Sequence, residues 1–260
     1  METMNWEIRE TAWTLALKKR GSIYFYRRDV FFKYPFLRLH HLWLALRAKL
    51  SNRAIIHVIG DSHAMPFIFK SPFVVHHISQ ATAHNLDKDN SATRSKHYLR
   101  SFLPKIDKNR DVVLLVFGEI DARVHIYYQY GKRGGKESIE ELVDVTVARY
   151  GETIKRLKDE GYAVCVHGIP PAARKNFVST LPFLGSPARR SHISRTFSIS
   201  LRGFCEQNGV PYIDVHSVSA DEDGFIAQDY LADEVHLNRA IVPFARAEIK
   251  KAFKDTRRFL

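Results

Sequence analysis

Short, nearly all-apolar runs alternate with longer stretches of helical periodicity along most of this sequence. An apolar run predicts a strand covered by helices on both faces, since such a strand is buried on both sides. Apolar residues that recur at three- and four-residue spacing predict helices instead. The pattern predicts five strands, at 54–59, 73–77, 112–117, 162–167 and 211–215, and four helices, at 93–103, 138–160, 188–208 and 238–253.

This alternation indicates βαβ units and therefore an α/β fold with a parallel sheet of roughly five strands. Gly161 and Gly209 follow two predicted helices, at the position where a helix commonly ends in the left-handed conformation. The glycine- and lysine-rich run 131–136, GKRGGK, predicts a loop above the sheet. It has neither the residue order of a phosphate-binding loop nor a position between a strand and a helix, so a solvated loop is the better interpretation.

Residues 1–53 differ in composition from the rest of the chain. They contain all three tryptophans and eleven Lys and Arg against four Asp and Glu, so they carry +7 of the net charge of +12. From residue 36 onward, Leu39, Trp43, Leu46 and Leu50 recur at helical spacing. We therefore predict a basic, aromatic-rich and mainly helical extension at 1–53 and a second unit at 54–260.

Three interpretations of this extension stay open at the sequence level. Its apolar stripe could pack on the main unit, or its interleaved basic and aromatic residues could contact a membrane surface or an anionic polymer. Nucleic acid is the weakest alternative, because the sequence carries no recognition motif for it. The sequence has neither an apolar stretch of about 20 residues nor a secretory pattern, so we expect a cytoplasmic protein, at most peripheral at the membrane.

The cysteines and histidines do not predict a metal site. Cys165 and Cys205 lie in apolar segments without metal-ligand spacing, which is typical of core thiols in a reducing compartment. His76, His77 and His84 also lack such spacing. We predict that the protein holds no metal.

Residues that can carry chemistry follow the ends of predicted strands, where ligands bind in open α/β sheets. The first strand runs into Asp61-Ser62-His63, which would place Ser62 at a helix start with its own amide able to stabilise an oxyanion. A serine nucleophile also needs a base and a carboxylate that orients the base. Asp233 and His236, three residues apart near the other end of the chain, can supply both. Each motif alone could be a capped turn or a surface histidine, but together they predict one site.

These two segments carry a resemblance to a known family. IIHVIGDSHA at 55–64 resembles the first block of the SGNH/GDSL hydrolases, and DEVHLN at 233–238 resembles their last block, D-x-x-H. The resemblance implies a flavodoxin-like α/β/α sandwich over 54–260, with Ser62, His236 and Asp233 as the catalytic residues. The His that follows the serine is also similar to the SGNH domains of bacterial polysaccharide O-acetyltransferases.

The resemblance implies an esterase or an O-acetyltransferase that acts on an O-acyl group, O-acetyl by analogy, of a carbohydrate or another small polar ester. A hydrolase of this kind needs no cofactor, whereas a transferase would use an acyl donor such as acetyl-CoA. The alternative is an inactive binding or scaffold protein with the same fold, whose basic extension would be the functional part.

The middle blocks depart from the family pattern. The family presents G-x-N-D after the third strand, and its Asn donates into the oxyanion hole; here the stretch is 118–121, GEID, and Ile120 cannot donate. Ser79 lies near the place of the second-block glycine. The expected oxyanion donors are the amides of Ser62, Ser79 or Gly118, or the side chain of Arg123 or His125. The residues expected to contact substrate are Asp61, His63, Asp121, His125 and Arg174.

Overall fold

The sheet is parallel throughout, as predicted. The computed structural model describes residues 35–174 and 183–260. Its five strands lie in the order β2-β1-β3-β4-β5, so β1 pairs with the edge strand β2 on one side and with the central strand β3 on the other. The strands are β1 Ile56–Gly60, β2 Phe73–His77, β3 Val112–Val116, β4 Ala163–His167 and β5 Tyr212–Ile213.

Helices cover both faces of this sheet. Side chains of α4 and α5, such as Ile154 and Phe197, form one core with β3 and β4. The other core contains Ile241 and Ile249 of α7 together with Phe67. The α-helices of the described residues are α1 Pro35–Ser51, α2 Ser95–Phe102, α3 Ile126–Lys132, α4 Ile139–Asp159, α5 Pro187–Gln207, α6 Val215–Ser219 and α7 Ile241–Ala252.

The predicted helix ends are confirmed where local chemistry determines them. Ser138 caps α4 in a reciprocal capping box with Glu141, an arrangement that satisfies two backbone N–H donors of the first turn. Gly161 and Gly209, with φ of +88° and +58°, follow α4 and α5. Both therefore take the left-handed conformation that glycine adopts at little steric cost.

Two predictions of local structure are wrong in part. The run 131–136 is not a loop throughout, because α3 continues through Gly131 to Lys132, and Gly131 is buried. A π-helical turn, Asp121–His125, leads directly into α3. The last strand is also shorter than predicted: Asp214 accepts the Ser217 amide and begins α6, so only two residues of β5 pair.

The helical spacing that follows residue 36 is confirmed by α1, but the interpretation that its apolar stripe packs on the main unit is wrong for these residues. Leu39, Trp43, Leu46 and Leu50 are 51–79% exposed. The opposite side of α1 packs on the domain instead, through Leu44 and Ala48 against Ile55 and Val74. Residues 1–34 lie outside the described residues, and the boundary at residue 53 stays a prediction. None of the described helices combines the length and apolar character that a membrane crossing requires.

Candidate active site

The structure brings Ser62, His236 and Asp233 into one hydrogen-bonded row. His236 Nε2 lies 2.7 Å from Ser62 Oγ, and His236 Nδ1 lies 2.8 Å and 2.9 Å from the two carboxylate oxygens of Asp233. With the ring proton held on Nδ1 by the carboxylate, Nε2 accepts the Ser62 hydroxyl proton. This is the arrangement that the general-base activation of a serine requires.

Asp233 also orders the loop that carries His236. Its Oδ1 accepts the backbone amides of Val235 and His236, both at 2.9 Å. Although burial alone would raise the pKa of Asp233, these hydrogen bonds and His236 lower it. The carboxylate is therefore ionised across the neutral range, and it fixes both the backbone and the imidazole of His236.

Ser62 begins a short 3₁₀ helix, Ser62–Phe67, directly after β1. Asp61 precedes it, and its Oδ1 accepts the His63 amide at 2.8 Å, while its carbonyl accepts the Ala64 amide at 3.1 Å. The first amides of the turn are thus occupied, except that of Ser62, which donates to no other residue in the described part of the chain. That amide suits the predicted oxyanion contact.

A row of alternating charges lies beside the Ser62–His236–Asp233 row. His63 Nδ1 is 3.0 Å from Asp61 Oδ1, and His63 Nε2 is 3.6 Å from Glu119 Oε2. Glu119 in turn accepts two hydrogen bonds from Arg123, at 2.6 Å and 3.1 Å. All four side chains are buried. We call Asp61, His63, Glu119 and Arg123 the charged quartet.

The charged quartet acts on His236 through His63. The rings of His63 and His236 have centroids 4.7 Å apart. Burial alone would lower the pKa of His63, but the carboxylates of Glu119 and Asp61 outweigh it and raise that pKa. Burial first, and then the His63 charge, lowers the pKa of His236. His63 thus favours the imidazolium form and His236 the neutral form that a base requires.

Asp121 lies deeper than a substrate contact would require. It is fully buried, and its carboxylate accepts the amides of Ala83 at 2.7 Å and His84 at 3.3 Å. Burial raises its pKa to about 7, and these hydrogen bonds oppose that rise. The predicted substrate contact of Asp121 is therefore wrong: the side chain anchors the loop that follows β2. Asp61 is likewise fully buried and supports His63.

The other predicted oxyanion donors differ in how they are placed. Ser79 lies just beyond β2, and the preceding amide, of Ile78, donates to Gly60 at the end of β1, so Ser79 lies beside the Ser62 turn. Gly118 follows β3 with φ +117°. Arg123 commits Nε and Nη2 to Glu119. The oxyanion roles of these residues stay predictions.

Two predicted substrate contacts remain to be placed. His125 is half-buried at the end of the π-helical turn, and burial lowers its pKa to about 4; its contact with substrate stays a prediction. Arg174 is exposed, and its guanidinium is paired with Asp221 at 2.7 Å and Asp223 at 2.8 Å. Because two carboxylates already neutralise Arg174, the structure does not present it as a free anion-binding group.

Glu119 is the residue of this site that the sequence did not reveal. It occupies the variable position of the G-x-N-D block, where the pattern specifies no side chain. Arg123, four residues on in a helical segment, was the available signal, because residues at that spacing share a face. Within residues 35–174 and 183–260, no three or more His, Cys, Asp and Glu are grouped to hold a metal ion; that the protein binds none stays a prediction.

Comparison with known proteins supports the fold. No protein-family model matches this sequence, and no curated protein matches it either. Among solved structures, a "putative acylhydrolase" from Bacteroides fragilis NCTC 9343 aligns with a TM-score of 0.50 and 14% identity over 78% of this chain and 88% of its own. A GDSL-like lipase from Bacteroides thetaiotaomicron VPI-5482 aligns with a TM-score of 0.49 and 14% identity over 81% of this chain and 97% of its own.

The first of these alignments confirms the predicted fold. The chain shares an α/β/α architecture with that protein, and its strand order of 2-1-3-4-5 is the flavodoxin-like order. At this level of identity the likeness establishes the fold and leaves the reaction to the residues of the site.

Proposed function

We propose that the protein is a serine-dependent ester hydrolase or O-acyltransferase that acts on an O-acyl group of a carbohydrate or another polar substrate. The observation that carries the proposal is the row Ser62–His236–Asp233, with 2.7 Å and 2.8 Å between successive polar atoms. The fold is shared with a protein named as an acylhydrolase, which agrees with the proposal without establishing it.

The first half-reaction follows from the row. Ser62 Oγ attacks the ester carbonyl carbon as His236 Nε2 takes its proton, and the carbonyl electrons move to oxygen. The Ser62 amide, at the start of its 3₁₀ turn, supports the developing oxyanion. When the tetrahedral intermediate collapses, the protonated His236 gives its proton to the departing alkoxide, and an acyl-Ser62 ester remains.

The second half-reaction decides between hydrolysis and transfer. A water or a sugar hydroxyl loses its proton to His236 Nε2 and attacks the acyl-Ser62 carbonyl. As the tetrahedral intermediate collapses, His236 returns that proton to the departing Ser62 Oγ, and an acid or a new ester is released. Both routes use the same protein groups, so they differ only in the acceptor. O-Acetyl is the expected acyl group, on the resemblance of the GDSH block alone.

Hydrolysis of p-nitrophenyl acetate tests the proposal. We expect turnover by the wild-type protein to fall at least about a thousandfold in Ser62→Ala and in His236→Ala, since either change removes the activated nucleophile. Ser101→Ala and His97→Ala, both at exposed positions of α2, are the matched controls and should leave the rate unchanged. Circular dichroism checks that all four variants are folded.

Acceptor partitioning separates the two routes. Wild-type protein is given p-nitrophenyl acetate or acetyl-CoA with and without an unacetylated polysaccharide, and acetate and acetylated polymer are quantified. A hydrolase yields acetate in both cases, whereas a transferase yields acetylated polymer at the expense of acetate. Wild-type turnover no faster than that of Ser62→Ala with every donor and acceptor would contradict the proposal and favour an inactive binding protein.

A further inference from the structure

The outward face of α1 carries a continuous apolar stripe. Large apolar residues at positions 36, 39, 42, 43, 46 and 50 lie within about a third of the helix circumference at 3.6 residues per turn. Each of them is exposed by half or more. Scattered exposed leucines are ordinary, but a stripe of six along one helix marks a surface that another body covers. The stripe comprises Phe36, Leu39, Leu42, Trp43, Leu46 and Leu50.

The domain holds α1 in one orientation, so this stripe cannot turn inward without breaking contacts. Leu44 and Ala48 on the opposite side are fully buried against Ile55 and Val74. The Val75 amide also donates to His41 Nε2 at 3.3 Å, and burial lowers the pKa of His41 to about 4, which keeps that nitrogen an acceptor. The apolar stripe is thus presented on a rigid support.

The charges around the stripe indicate what covers it. The sequence from 35 to 60 contains no Asp or Glu. Arg47 lies at one border of the stripe, with its guanidinium 5.3 Å from the centre of the Trp43 ring, and Lys49 lies at the other; both are exposed. A helix that combines an apolar stripe, a tryptophan and flanking basic residues suits the boundary between acyl chains and anionic headgroups.

We propose that the outward face of α1 docks the protein on an anionic lipid surface. The stripe enters the headgroup region, Arg47 and Lys49 contact lipid phosphates, and Trp43 lies at the interface. The helix is also connected to the candidate active site: His40 contacts Phe69, with ring centroids 5.5 Å apart, two residues beyond the 3₁₀ turn that Ser62 begins. Docking would therefore hold that turn close to the membrane.

Vesicle binding tests this directly and needs no enzymatic activity. The full-length protein is mixed with vesicles of phosphatidylcholine alone or of phosphatidylcholine with phosphatidylglycerol, and the bound fraction is measured by flotation. We expect binding to the anionic vesicles only. Leu42→Gln with Leu46→Gln should weaken it about tenfold or more. Arg47→Gln with Lys49→Gln should weaken it by about twenty-five-fold, about fivefold for each charge.

Matched variants control for general changes in polarity and charge. Ile199→Gln replaces an aliphatic side chain on α5 that is 63% exposed, and Lys250→Gln with Lys251→Gln removes two exposed charges from the end of α7. We expect these variants to bind like the wild type. Equal weakening in the control variants would overturn the assignment to α1.

Fluorescence identifies the occupant of the stripe. A Trp6→Phe and Trp13→Phe variant leaves Trp43 as the sole tryptophan. Its emission should shift to the blue and be quenched by brominated lipids only when anionic vesicles are added. A blue-shifted emission without lipid, in a protein that is monomeric, would show that the chain covers its own stripe. A dimer that Leu42→Gln with Leu46→Gln dissociates would show a second copy there. Either result, or the absence of vesicle binding, overturns the proposal.

Discussion

Replacing Asp233 by asparagine isolates the role of its charge in the proposed catalytic row Ser62–His236–Asp233. Both carboxylate oxygens lie within 2.9 Å of His236 Nδ1, and Oδ1 additionally accepts the amides of Val235 and His236. In Asp233→Asn those two amides select the carbonyl oxygen for the Oδ1 position. The side-chain NH₂ then takes the Oδ2 position, 2.8 Å from Nδ1, and we expect a small rotation to move it away from the ring. The carbonyl oxygen still accepts the Nδ1 proton, so His236 keeps the tautomer that leaves Nε2 free to accept the Ser62 proton.

The expected loss is therefore moderate. An imidazole hydrogen bond to a charged acceptor is stronger than one to a neutral acceptor by about 1–1.5 kcal/mol, which corresponds to about tenfold in rate. The Asp233 side chain is 53% exposed, so water screens part of the lost charge. We expect Asp233→Asn to lower kcat/KM about tenfold or less, and Asp233→Ala, which removes every hydrogen bond to the loop, to lower it a further tenfold or more.

Initial rates of p-nitrophenyl acetate hydrolysis measure both effects, with Ser62→Ala as the floor. In a serine protease with a buried catalytic aspartate, replacing that aspartate by asparagine imposes the wrong histidine tautomer. The replacement lowers kcat about ten-thousandfold. A loss of that size in Asp233→Asn, down to the Ser62→Ala floor, would refute the reasoning, because it would mean that the amide NH₂ faces Nδ1.

Three further predictions test the surroundings of the row. His63→Gln should move the rising limb of the kcat/KM–pH profile to higher pH, because removing the His63 charge raises the pKa of His236; an unmoved limb would contradict that coupling. Gly118→Ala should lower the free energy of unfolding in urea by about 2 kcal/mol or more, because the new Cβ would lie 2.7 Å from the Phe197 ring of α5. Gly134→Ala, also at positive φ but in open space, is the control and should lower it less. Burial alone would raise the pKa of Asp111, but hydrogen bonds from His57 and Arg110 lower it to about 2. The Asp111 carboxylate therefore contributes about 2 kcal/mol to the free energy of unfolding above pH 4, and this contribution is lost as the pH falls through 2. Asp111→Asn should reduce the acid-induced loss of stability measured by urea titration, and an equally steep loss in this variant would show that Asp111 is not its source.

The strands and the three residues of the row could be predicted because their signals are local. A strand such as β3, Val112–Val116, is apolar at each position, which is what burial on both faces requires. Ser62 and His236 each lie within a recognisable block, and the topology of a parallel sheet brings such segments to one edge. The conjunction of the two blocks thus located a constellation that spans 174 residues of sequence.

The orientation of α1 could not be predicted in the same way. Helical spacing shows which residues share a face, and Leu39, Trp43 and Leu46 do share one. It does not show which face meets the domain. The side of α1 with the smaller side chains, Leu44 and Ala48, packs on the domain, because alanine lets the helix approach the sheet edge closely. Only the partner surface decides between the two faces, and that surface is assembled from distant parts of the chain.

The departure from the family pattern at Ile120 leaves the Ser62–His236–Asp233 row intact and changes the residues beside it. The family pattern specifies Asn there, whereas this chain offers Glu119 one residue earlier, which joins His63 to Arg123. That link balances a buried imidazolium beside His236. A neighbouring positive charge makes His236 a weaker base, and it also keeps His236 neutral at lower pH. If Ser62 acts as proposed, this arrangement favours slow activation of Ser62 that persists at lower pH. The kcat/KM–pH profile of His63→Gln would show whether the His63 charge lowers the pKa of His236 in this way.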